Sequence, residues 1–299
     1  MNIHAHTEDV KDPSKCGPCG YDLSTKPILG KLNDVIHVHD YNIIVYLTPQ
    51  EKEQYGIPQT SNLYFREVCK CGAIKGGKDA YTSAISNYND GEGYVNEAVR
   101  KLIKKKAEET GLSYEYLLGT FLREGTYEDG SIYFGNTYVA SCVKMWNNGN
   151  TTPLNNFFLG LFGEDMSFTA VVNGKETIIT PEKLAANPEL LSNINVSLEI
   201  TVANMQNILD DIEYIQDEDE RYKTLTDLYG GTTIQDNWSE ENKKIANDWR
   251  DAYYEYVKII GTLEANGVYY PEPGVGAFYC FLTGREYGEF DSFLIDNNR

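Results

Sequence analysis

Two cysteine pairs, Cys16-Gly-Pro-Cys19-Gly20 and Cys69-Lys-Cys71-Gly72, constrain the first third of this chain more than any other feature. A glycine after a ligating Cys lets the backbone turn tightly and aim its N–H groups at the thiolate, which is how a zinc knuckle is built. The N-terminus, Met1-Asn-Ile-His-Ala-His-Thr-Glu-Asp9, has neither the basic start nor the apolar core of a signal peptide, so the chain is expected to be made in a cytosol. In that reducing compartment paired thiols read as metal ligands in preference to disulfides. Cys16, Cys19, Cys69 and Cys71 are therefore assigned to one structural Zn2+ per chain. Its four positions would all be filled by protein, so the ion would hold the fold and do no chemistry. His37 and His39 alternate along a predicted strand, and His4 and His6 lie at the chain's start; all four are assigned to solvent or core packing.

Between the two pairs, Val35 to Leu47 is β-branched and aromatic, and Leu63-Tyr-Phe-Arg-Glu-Val68 alternates, which predicts two or three strands. Residues 1–80 are expected to form a small β-rich module clipped by the metal. A Gly-, Asn- and Ser-rich stretch follows, and 81–94 is read as a linker to a second domain over 95–299.

Charge separates the two parts as well. The chain carries 26 Lys and Arg against 45 Asp and Glu, a net −19; residues 1–92 hold 9 against 12, and the remainder 17 against 33. So acidic a second part excludes nucleic acid and an anionic membrane as main partners. With no run of about 18 apolar residues, no membrane insertion is expected.

Helical signals dominate after residue 95. Apolar residues at 98, 99, 102, 103 and 107 predict a helix over 97–109 that Gly111 ends. Gly111-Leu-Ser-Tyr-Glu-Tyr-Leu-Leu-Gly-Thr-Phe-Leu-Arg-Glu124-Gly125 reads as a second helix, capped at Ser113, burying Leu117, Leu118, Phe121 and Leu122 and ending at Glu124. Gly130 to Ala140 reads as loop and short strand, and Phe168 to Ile179 as a hairpin with an Asn-Gly turn. Further helices are predicted from Pro181, from Asn187 continuing to Leu209, from Arg221 to the glycines at 230 and 231, and from Ser239 to about Leu263. The acidic tract 210–220 precedes the helix expected from Arg221, and the Pro/Gly-containing tail after 270 is read as irregular.

All four His precede residue 40, which excludes Ser-His-Asp and Cys-His nucleophiles and a His-based catalytic metal from the second domain; Cys142 and Cys280 stand alone. Carboxylates, tyrosines and amides remain, the toolkit of glycoside cleavage. An apolar surround at the end of the Glu124 helix suits a carboxyl that must hold a proton near neutral pH.

The order of motifs from Gly111 onward resembles the soluble lytic transglycosylases and goose-type lysozymes of the lysozyme-like superfamily. There a helix of the form GL-x-x-x-LL ends in the catalytic Glu, matched here by Gly111-Leu112, Leu117-Leu118 and Glu124-Gly125. Gly160-Leu161-Phe162-Gly163 stands where that family has Gly-Leu-Met-Gln. Asn187-Pro188-Glu189 with Asn195 resembles its DPE-x-N helix, and Leu228-Tyr229-Gly230-Gly231 its Ala-Tyr-Asn-x-Gly. The match spans roughly 95–265. Gly125 replaces the usual Ser, Gly163 the Gln that orients substrate, and Gly230 the Asn after Tyr.

The resemblance implies an α+β protein: a mainly α lysozyme-like domain with a small β insertion, preceded by the β-rich zinc module. It implies cleavage of β-1,4 linkages in bacterial peptidoglycan by a muramidase or a lytic transglycosylase, with Glu124 as general acid. Asp129 (or Glu128) is the candidate second carboxylate for a hydrolytic course. Tyr229 would line the cleft, and Tyr133, Phe134, Tyr138, Trp146 and Phe162 are candidate substrate contacts. Without a signal peptide, such a domain implies a bacteriophage lysin acting at the cell wall. It would arrive there after holin release as an endolysin, or on the virion with other virion proteins as partners. A chitosanase-like hydrolase and an inactive virion or glycan-binding protein are the competing expectations.

Overall fold

A computed structural model describes residues 3–5, 36–84, 95–124, 136–230 and 238–266. The protein is α+β, with small antiparallel sheets and a predominance of helix. It divides into two compact units. One comprises Met1–Ala84 with Val171–Thr177, the other Ile85–Ala170 with Ile178–Arg299.

In the first unit, β1 (Ile3–Ala5) pairs antiparallel with β2 (Ile36–Val38), His4 opposite His37. A second sheet is built from β3 (Ile43–Tyr46), β4 (Tyr64–Val68) and β5 (Thr82–Ser83), in that order, with Ile43 opposite Val68 and Tyr64 opposite Ser83. The strand predicted at Leu63–Val68 forms as β4, in which Phe65 is fully buried and joins Ile44, Leu47, Ile57 and Ala84 in the core. β5 lies inside the stretch read as a linker.

Helix α1 (Pro49–Gln54) connects β3 to β4 and opens with a capping box. Thr48 Oγ1 accepts from the Glu51 N–H at 3.3 Å, and Glu51 Oε2 accepts from the Thr48 N–H at 2.8 Å. The Thr48 N–H, helped by Arg66 at 2.5 Å, holds the Glu51 carboxyl below its ordinary value of 4.5. Since folding lowers this pKa, the stability it confers is complete above 4.5 and is lost as pH falls through the folded-state value. Thr48→Ala is expected to cost about 1 kcal/mol. Urea midpoints of Glu51→Gln and the parent should converge below the carboxylate range and differ above it.

In the second unit, Asn96 caps α2 (Glu97–Thr110) with its side chain, and Gly111 ends it in the left-handed region at φ 73°. α2 buries Val99, Ile103 and Ala107 of the predicted stripe, with Ala98 and Leu102 half-buried at its edge. α3 (Tyr114–Glu124) starts at Ser113, whose Oγ accepts from the Tyr116 N–H at 3.2 Å. Leu117, Leu118 and Phe121 are fully buried and Leu122 nearly so. Its largest partner is the 26-residue α9 (Glu240–Ala265), capped by Ser239. Burial of Leu117, Leu118 and Phe121 is worth roughly 2 kcal/mol each, which makes this helix pair the centre of the unit.

Around it stand α4 (Thr137–Asn147), α5 (Thr152–Phe162), α6 (Pro181–Ala186), α7 (Ile194–Asp211) and α8 (Glu218–Gly230). The predicted hairpin is β6 (Phe168–Val172) and β7 (Lys175–Ile179), turned by Asn173 and Gly174, both at positive φ. Its tip, Val171–Thr177, belongs to the first unit, where Asn173 Oδ1 accepts from the Tyr46 N–H at 3.1 Å.

Three readings are corrected. The segment to Ala140 is not loop and strand throughout, because α4 starts at Thr137. Val139, Cys142 and Val143 recur at helical spacing and are buried, which outweighs the β preference of Thr, Tyr and Val. The helix drawn from Asn187 is interrupted: Pro188–Ser192 is a 3-10 turn, and Asn193 Oδ1 caps α7 anew by accepting from the Asn195 N–H. The helix expected from Arg221 begins earlier, since α8 opens at Glu218 with three acids in its first turn, where the helix dipole favours them.

A polar line joins α3 to α8. The Ser113 N–H donates to Tyr222 Oη at 2.7 Å, and the hydroxyls of Tyr116 and Thr226 lie 2.8 Å apart. Thr226 Oγ1 donates to the Tyr222 carbonyl, which leaves Tyr116 as donor to Thr226. Burial holds the Tyr116 hydroxyl far above the ordinary tyrosine range, so it remains a donor at any working pH. Tyr116→Phe should therefore lower stability by about 1 kcal/mol, read as a shift in the urea midpoint at unchanged slope.

Candidate metal centre

The first unit brings three soft donors together. β4 ends at Val68, and the chain turns at once: the Gly72 N–H donates to the Cys69 carbonyl and the Cys69 N–H to the Ala73 carbonyl, both at 2.8 Å. Gly72 takes φ 88°, a conformation that glycine adopts without strain. Val68 then bridges Ile74, closing a knuckle that presents the sulfurs of Cys69 and Cys71 to one side chain from elsewhere. That side chain is His39, just after β2, buried at 7% exposure and stacked on Tyr41. His39 Nδ1 lies 3.3 Å from Cys71 Sγ, and the ligand atoms of His39, Cys69 and Cys71 all lie within 4.8 Å of one another.

Burial pushes the Cys71 thiol up, and the neighbouring Cys69 sulfur adds to that; the backbone N–H of Ala73, aimed at the sulfur, pulls the other way. Two thiols and an imidazole so placed can hold a metal ion. Thiolate and imidazole donors suit zinc, whereas calcium and magnesium call for oxygen.

Cys69 and Cys71 thus meet as the spacing predicted, while Cys16 and Cys19 lie outside the described residues. His39, assigned to packing from the sequence, stands in the cluster. It is separated from Cys69 by 30 residues, and its side chain is brought there by the sheet, not by a local motif. The one available signal was its place in an alternating His37-Val-His39 segment between the two Cys pairs.

In the second unit, Glu124 is the last residue of α3. Asp129, Glu128, Tyr133 and Phe134 lie outside the described residues. Tyr229 is half-buried on α8, three residues beyond Thr226, and its phenol interacts electrostatically with that of Tyr116. Tyr138 is 61% exposed on α4, its ring 5.9 Å from that of Phe157. Trp146 is half-buried near the end of α4, and Phe162 stacks on Phe168 at 4.7 Å. Cys142 is fully buried within α4.

Two acids of α8 have perturbed carboxyls. Hydrogen bonds from Lys258 and Tyr254 hold Asp219 below its ordinary range. Burial pushes Asp227 up, against the pull of Arg250 at 3.4 Å. Among the described residues, no helix is long and apolar enough to cross a membrane. No family model, curated protein or solved structure matches the chain.

Proposed function

We propose that this chain is a peptidoglycan-cleaving glycosidase whose first unit is clipped by one structural zinc ion. The observation that carries the glycosidase reading is the place of α3: a helix that fully buries Leu117, Leu118 and Phe121 ends on a glutamate. A helix C-terminus is the negative end of the dipole, which favours a neutral acid able to give up a proton. Glu124 would protonate the glycosidic oxygen, with Tyr229 lining the cleft and Asp129 the candidate for activating water. Tyr133, Phe134, Tyr138, Trp146 and Phe162 are the aromatic candidates for sugar stacking.

With so acidic a catalytic part, encounter with an anionic wall would be slow unless the enzyme is carried there, as a virion-borne or holin-released lysin would be. The same charge suits a cationic glycan, so chitosan is the second substrate to offer.

Digestion of purified walls and of chitosan, with mass spectrometry of the soluble products, tests the reading. Anhydro ends identify a transglycosylase and reducing ends a muramidase. Wall binding without fragments would replace the enzyme by a glycan-binding or virion assembly protein.

A further inference from the structure

We propose that Tyr55, Tyr64 and Tyr81 form a glycan-stacking platform on the first unit, which retains the enzyme on the uncharged N-acetylhexosamine strands of the wall. The inference rests on the reading of peptidoglycan as the substrate and adds a surface that holds the enzyme to it.

The platform follows from strand geometry. Successive side chains of β4 point to opposite faces, so Phe65 enters the core while Tyr64 and Arg66 share the other face. β5 continues that face: Ser83 pairs with Tyr64, and Tyr81, two residues before Ser83, brings its ring 5.9 Å from that of Tyr64, edge to face. Tyr55, which closes α1, reaches the same place, with its ring 4.7 Å from that of Tyr81. Tyr81 thus joins the other two into one aromatic strip. It is 39% exposed, and Tyr55 and Tyr64 are half-buried on either side of it.

The strip is held in place before any ligand arrives. Arg66 Nη2 donates to Tyr55 Oη at 3.2 Å, and Arg66 Nη1 is fixed in turn on Glu51 of α1. Aromatic groups already fixed lose little conformational freedom on binding. Among the described residues no hydrogen bond engages the hydroxyl of Tyr64 or of Tyr81, so both are open to a ligand. Rings with polar tips suit a ligand that has apolar C–H faces edged by hydroxyl and amide groups, and an N-acetylhexosamine is such a ligand.

Charge selects the same partner. Residues 36–84 carry five Lys and Arg against five Asp and Glu, and Arg66, the cation beside the strip, is paired with Glu51. This part of the chain is therefore neutral, whereas the part after residue 92, with 17 basic residues against 33 acidic ones, is repelled by an anionic wall. A neutral aromatic strip meets the uncharged sugar faces of that wall without opposing its charge.

Co-sedimentation of the full-length chain with purified walls in the cold, and titration with a soluble N-acetylglucosamine hexamer, test the platform. Wild type is expected to bind both, with an affinity that holds from about 50 to about 500 mM NaCl because no ion pair is exchanged. Tyr81→Ala and Tyr64→Ala should each weaken binding about tenfold, the loss of one aromatic anchor, and Tyr81→Trp should retain it. Tyr214→Ala, at a residue 74% exposed in the second unit, should leave binding unchanged. Equal binding by Tyr81→Ala and wild type, or binding that falls steeply with salt, overturns the platform and leaves the glycosidase standing if wall fragments are still released. Capture of a proline-rich peptide without affinity for either glycan would assign the strip to a protein partner and overturn the glycan. Tyr81-dependent binding without released fragments supports the platform and overturns the glycosidase. A wild type that neither binds nor cuts overturns both.

Discussion

Glu124→Gln is expected to slow the clearing of purified bacterial walls by about 10²–10⁴-fold, the usual contribution of a general acid, with the thermal transition unchanged. The substitution keeps the size and hydrogen-bonding outline of the side chain and removes only the transferable proton. It also leaves the packing of α3 alone, because that rests on Leu117, Leu118 and Phe121, whose side chains are buried upstream of the helix end. A fall in clearing without a fall in stability would therefore report chemistry.

Three companions make the outcome specific. Asp129→Asn should lower the rate of a hydrolase but not of a transglycosylase, which closes an anhydro ring without a second carboxylate. Tyr229→Phe should affect KM and kcat together if the phenol holds the sugar. Asp227→Asn is the rival acid: its carboxyl is raised by burial, and it sits on α8 two residues before Tyr229. Equal clearing by Glu124→Gln and wild type would sink the assignment, and loss only in Asp227→Asn would move the acid to α8.

The elements legible in the sequence are those whose signals are local. α2, α3 and α9 each combine a side-chain cap with a 3.6-residue stripe, and the hairpin is marked by the two residues, Asn173 and Gly174, that accept positive φ. α4 was obscured because Thr137, Tyr138 and Val139 prefer strands, and only the recurrence of Val139, Cys142 and Val143 betrays a helix. The candidate site divides in the same way. Cys69 and Cys71 belong to one turn and are readable from Gly72 onward. His39 joins them only through the pairing of β3 with β4, a non-local event that no spacing in the chain encodes. The same limit applies to a close backbone approach in the second unit, where Gly119 and Gly261 carry no local signal of the helix each one meets.

That contact gives the largest stability effect expected in the protein. Gly→Ala within a helix ordinarily gains up to about 1 kcal/mol. Here the sign reverses. A Cβ on Gly119 would lie 2.0 Å from the carbonyl oxygen of Val257, and one on Gly261 would lie 1.8 Å from that of Glu115. The obstructing atoms are helix backbone, which cannot rotate aside as a side chain can, so α3 and α9 must separate. Overpacking of this kind costs roughly 3 kcal/mol, at the upper end of the usual range, and each of Gly119→Ala and Gly261→Ala should lower the urea midpoint accordingly. Residue 119 faces 257 while 115 faces 261, so the two glycines serve one antiparallel crossing, and a single displacement relieves both clashes. The double variant should therefore lose less than the sum of the singles. Gly160→Ala is the control: this glycine sits in α5 with nothing within 4 Å of the point a Cβ would occupy, and its replacement should be neutral or stabilising. If Gly119→Ala and Gly160→Ala proved equally harmless, the close α3–α9 packing would be wrong. If the first is destabilising and also slows wall clearing at temperatures where it remains folded, the crossing that buries α3 is also what positions its terminal glutamate.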